Sequence, residues 1–62
     1  MNELHHHIGN QVWIFRYADG DEEAVEDAAI EIARRHNTIF SVRDMVIVVQ
    51  VLTARQLERN RQ

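Results

Sequence analysis

A chain of 62 residues with a net charge of −3, 45% hydrophobic and 27% charged residues, and no cysteine is one small domain, and a disulfide scaffold is excluded. A domain this short buries only about 60% of the surface that its unfolded form exposes, so its core is marginal and oligomerisation is the expected remedy. The longest apolar run, Met45 to Val49, ends at Gln50, far short of the roughly 20 residues that cross a bilayer. With no basic and apolar leader at Met1 to His7, a cytoplasmic protein without a membrane anchor is expected.

Residues 1–9 read as a polar N-terminal tail ahead of a single domain over residues 10–62. His5, His6 and His7 are consecutive, and neighbours on an extended segment point to opposite sides. Three such side chains do not converge on one ion, and a structural zinc site wants four ligands, so neither a metal nor another cofactor is expected. Asn10 to Ala18 is rich in β-branched and aromatic residues and reads as a strand of about seven residues. Val12, Ile14 and Arg16 take one face, Trp13, Phe15 and Tyr17 the other. A strand so apolar on both faces wants cover on both.

Asp19-Gly20-Asp21 is turn chemistry, and Asp19 with Glu22 has the spacing of a capping box. A helix is expected over residues 21–36, with Asp21, Glu22 and Glu23 in its first turn and Arg34, Arg35 and His36 in its last, as the helix dipole favours. Val25, Ala28, Ala29, Ile32 and His36 make its buried stripe, flanked by Ala24 and Ala33. Ile30 stands apart, among Glu23, Asp27 and Arg34.

The run Met45 to Leu52 is β-branched enough to be a strand, which would give a β-α-β order. Its flanks favour a helix over residues 42–59: Ser41 is a good N-cap, Asp44 sits three residues on, Phe40 can staple onto Met45, and no glycine or proline follows. Val42, Met45, Val46, Val49, Leu52 and Leu57 form the main face of that helix, while Ile47, Val48 and Val51 occupy the rest. A helix apolar nearly all round must be enclosed. One strand and one alanine-rich helix cannot enclose it, so the expected fold is α+β, one strand and two helices (β-α-α), completed by a second copy of the chain. Trp13, Phe15, Met45, Val46, Val48, Val49 and Leu52 are the expected oligomer interface. The charge pattern, with seven acids and no base from Asp19 to Glu31, then six arginines against Asp44 and Glu58 from Arg34 onward, fits antiparallel helices within a chain or between chains, or an acidic face that is simply solvated.

Chemistry has few candidates. The only serine, Ser41, serves as a helix cap, no glycine-rich phosphate loop is present, and Glu22, Glu23, Glu26 and Asp27 lie on a polar helix face where nothing desolvates them. The expected function is therefore non-catalytic, a homo-oligomeric interaction or assembly module, with a dimer as the first stoichiometry and with aromatic residues able to recruit a protein partner. The alternative is DNA binding. The order strand, helix, helix over residues 10–59 resembles the layout of ribbon-helix-helix repressors, a resemblance that implies paired strands in the major groove. Arg16, Arg55, Arg59 and Arg61 would then meet phosphates. The negative net charge and the apolar strand faces depart from that pattern.

Overall fold

The computed structural model describes residues 1–61. Its elements are β1 (Asn2–Ile8), β2 (Gln11–Tyr17), α1 (Glu22–Ala33) and α2 (Val42–Asn60). The class is α+β, with one strand more than expected: the expected polar tail, residues 1–9, contains β1, antiparallel to β2 in a two-stranded sheet. The cause is the loop Gly9-Asn10. Ile8 pairs with Gln11 across it, and of the two loop residues only Gly9 has a positive φ, +56°. A glycine with positive φ at the first central position is the pattern of a type II′ turn, whose twist matches that of the flanking strands. Along β1 the side chains alternate, with Leu4, His6 and Ile8 turned inward and Glu3, His5 and His7 exposed.

Helix α1 is shorter than expected at both ends. Asp21 stands at its N-cap without a side-chain bond, whereas Asp19 accepts a 2.6 Å hydrogen bond from Asn2 and is not available as a cap. Arg34 is the C-cap, so Arg34, Arg35 and His36 fall outside the last turn. Of the expected stripe, Val25 and Ala29 are buried and Ile32 half-buried, while Ala28 and His36 are exposed. Helix α2 begins as its sequence requires. Ser41 Oγ accepts from the Asp44 backbone N–H, and the Asp44 carboxylate accepts from the Ser41 N–H at 2.8 Å, closing the capping box. The β-branched run is thus helical, and the β-α-β alternative is not adopted.

Leu4, Tyr17, Val25, Ala29, Phe40, Val48 and Leu52 form the buried core, with Trp13, Phe15 and Met45 among the residues packed against it. Phe40 lies at its centre, with ring centroids 5.1 Å from Trp13, 6.0 Å from Phe15 and 5.9 Å from His6. The inner face of the hairpin supplies the cover that one strand could not. Val48 and Leu52 are fully buried within the single chain. The helices run antiparallel, Arg59 near the end of α2 pairing with Glu22 at the start of α1 and Thr53 reaching Glu26. Among the described residues no helix is long and apolar enough to cross a membrane.

Candidate association surface

A two-residue hairpin loop closes on a hydrogen-bonded pair, and such pairs alternate along an antiparallel ladder. From the Ile8–Gln11 pair onward, the backbone N–H and C=O groups of Gln11, Trp13, Phe15 and Tyr17 therefore face β1, while those of Val12, Ile14 and Arg16 face away from it. On β1 the outward groups belong to Glu3, His5 and His7. One of them is taken up by α2, since Arg55 donates to the Glu3 carbonyl at 2.9 Å and to the Tyr17 hydroxyl at 2.7 Å. The free edge of β2 instead borders a groove of about 350 Å³, lined by Ile14, Phe15 and Arg16 on one side and Ala24, Val25 and Ala28 of α1 on the other.

The outer face of the hairpin carries Glu3, His5, His7 and Arg16 beside the apolar Val12 and Ile14. Glu3 accepts from Arg16 at 2.8 Å and pairs with His5 at 3.0 Å. These bonds, first that of His5 and then that of Arg16, lower the pKa of Glu3 below the usual glutamate value. Beside them Val12 and Ile14 are each 48% exposed.

The residues expected at an interface fall into three groups. Val48 and Leu52 are core; Trp13, Phe15, Met45 and Val49 are half-buried; Val46 alone is exposed. It has company: Ile39, Val42 and Leu57 are exposed, as are Ile47 and Val51. The four arginines considered for phosphate contact all have partners within the chain. Arg16 pairs with Glu3, Arg59 with Glu22 and Arg61 with Glu58, while Arg55 bonds Tyr17 and the Glu3 carbonyl.

Two polar clusters escaped the sequence reading. His6 projects inward, and its Nε2 lies 2.8 Å from Asp44 Oδ1, while Asp44 Oδ2 accepts from Ser41 Oγ at 2.7 Å. The three residue types are those of a hydrolase triad, but the order is wrong. The carboxylate stands between serine and imidazole, so no base reaches the hydroxyl proton, and the cluster ties β1 to the start of α2. Asp44 is lowered to about 2, chiefly by the His6 bond and then by the two bonds from Ser41. The second cluster surrounds Glu22, which is 3% exposed. One of its oxygens accepts from Arg59; the other is buried without a partner, as is the Trp13 indole nitrogen. Glu22 lines an open groove of about 580 Å³ together with Asn2, Tyr17, Asp19, Arg55 and Arg59. Among the described residues no group of three or more His, Cys, Asp or Glu side chains is placed to hold a metal ion.

No protein-family model, curated protein or solved structure matches the chain.

Proposed function

We propose that the chain is a self-association module, a small subunit whose biological role is exercised as a homo-oligomer, with a dimer as the basic unit. One observation carries this reading. Among the described residues, nine large hydrophobic side chains are exposed against seven hydrophobic residues in the buried core. Isolated apolar side chains are normal on any surface, but here they recur along two faces of α2 and one face of the hairpin. The accessible surface points the same way, 4711 Å² against about 4,200 Å² for a compact monomer of this mass.

Nucleic-acid recognition has less support, because each arginine it would use is already engaged within the chain. Sedimentation equilibrium over a wide concentration range, with circular dichroism on the same samples, tests the proposal. A dimer or higher oligomer that dissociates and loses helix on dilution is the expected result. A fully folded monomer at every concentration would refute it.

A further inference from the structure

We infer that two copies of the chain join edge to edge through β2. In this arrangement β2 runs antiparallel to the partner's β2 in a continuous four-stranded sheet, the two-fold axis passes at Ile14, and the two α1 helices lie antiparallel beside it. The inference rests on the self-association reading and adds the surface and the register.

The backbone decides the register. Val12, Ile14 and Arg16 present unpaired N–H and C=O groups along the free edge of β2. Only an antiparallel pairing centred on Ile14 engages all three in one ladder, Ile14 with the partner's Ile14 and Val12 with the partner's Arg16. A symmetric pairing of this kind is self-complementary, as a two-fold interface requires.

Composition decides the edge. Natural sheets protect their edges with charges, short strands or a covering segment. The edge of β1 has such protection, since Glu3, His5 and His7 are its outward residues and Arg55 covers the Glu3 carbonyl. The edge of β2 offers valine and isoleucine, and its single charge, Arg16, is tied back to Glu3.

Electrostatics decides the orientation of α1. Asp21, Glu23 and Asp27 on its N-terminal half make no ion pair within the chain, nor do Arg34 and Arg35 beyond its C-terminus, among the described residues. Ala24 and Ala28 line the same groove as Ile14 and leave room for a neighbouring helix to approach closely. An antiparallel α1 facing Ala28 brings Asp21 opposite the partner's Arg35, so that acidic starts meet basic ends.

Two variants of the full chain test this arrangement. The Ile14 side chain is half exposed and its N–H lies outside the hairpin ladder, so Ile14→Lys and Ile14→Asp should both fold, as circular dichroism would verify. Each alone places like charges together at the axis and should weaken association about tenfold or more in dissociation constant. Mixed in equal amounts, the two should form a heterodimer by light scattering, while Val46→Asp on the exposed face of α2 should weaken association less than either Ile14 variant does. Unchanged association of both Ile14 variants, or a mixture that stays monomeric, would overturn the β2 pairing. If Val46→Asp alone dissociated the assembly, the interface would be α2 and self-association would stand without this register. An unmodified chain that is monomeric throughout would remove both.

Discussion

The two edges of the hairpin are built from the same number of residues and treated in opposite ways. Along β1 the outward groups are flanked by glutamate and histidine, and Arg55 reaches from α2 to close on the Glu3 carbonyl and the Tyr17 hydroxyl. Along β2 the flanking side chains are Val12, Ile14 and an Arg16 tied back to Glu3, and what lies alongside is a groove lined in part by Ala24 and Ala28. The difference teaches that burial and closure are separate problems in a chain this short. Its core can be sealed by four elements while one edge of its sheet remains open to solvent.

The largest effect should come from breaking the closed side at its core. Leu52→Ala removes a fully buried side chain and should cost about 3 kcal/mol, within the usual range for such truncations. Urea denaturation at a concentration where the assembly is intact measures it. A smaller loss is expected from Arg55→Ala, which removes the donor to the part-buried Tyr17 hydroxyl and to the exposed Glu3 carbonyl and should cost about 1 kcal/mol. That variant turns the closed edge into an open one, so the outward amides of β1 should exchange faster with solvent while those facing β2 do not.

The least costly change sharpens how β1 is fastened at its other contact with α2. Asp44 has its pKa lowered from 3.8 to about 2 in the folded chain, first by His6 and then by Ser41. A depressed carboxylate contributes stability that is present above its unfolded value and lost as pH falls through its folded one. Denaturant midpoints of the unmodified chain should therefore fall between pH 3.8 and about 2. Asp44→Asn should lower the plateau above this range and flatten the fall within it. An identical acid profile in the variant would remove Asp44 from the account of acid stability.

Much of the helical architecture was legible in local sequence. Ser41 and Asp44 announced the start of α2, while of the acids from Asp19 to Glu31 only Glu22 forms an ion pair with a later arginine, Arg59. The hairpin carried a signal as well, a two-residue Gly9-Asn10 between Ile8 and Gln11. Three consecutive histidines obscured it, because only Leu4 and Ile8 mark β1 as apolar on one side. His6 completes that inward face through Asp44 and the Phe40 ring, contacts that depend on residues more than thirty positions away. Missing β1 then displaced the reading of α2. Of its expected main face, Leu52 is buried and Met45 and Val49 are half-buried, while Val42, Val46 and Leu57 are exposed; Val48, expected off that face, is fully enclosed. The burial of Glu22 was beyond local pattern for the same reason. Position within the first turn marks it as solvated, and only the end of α2 brings Arg59 to it.

Amide hydrogen exchange at residue resolution, compared at high and low protein concentration, tests the open edge most directly. Self-pairing of β2 predicts that the amides of Val12, Ile14 and Arg16 slow markedly as concentration rises, while those of Glu3, His5 and His7 change little. Equal exchange of the β2 amides at both concentrations, in samples known to be associated at the higher one, would contradict the account and place the interface elsewhere on the chain.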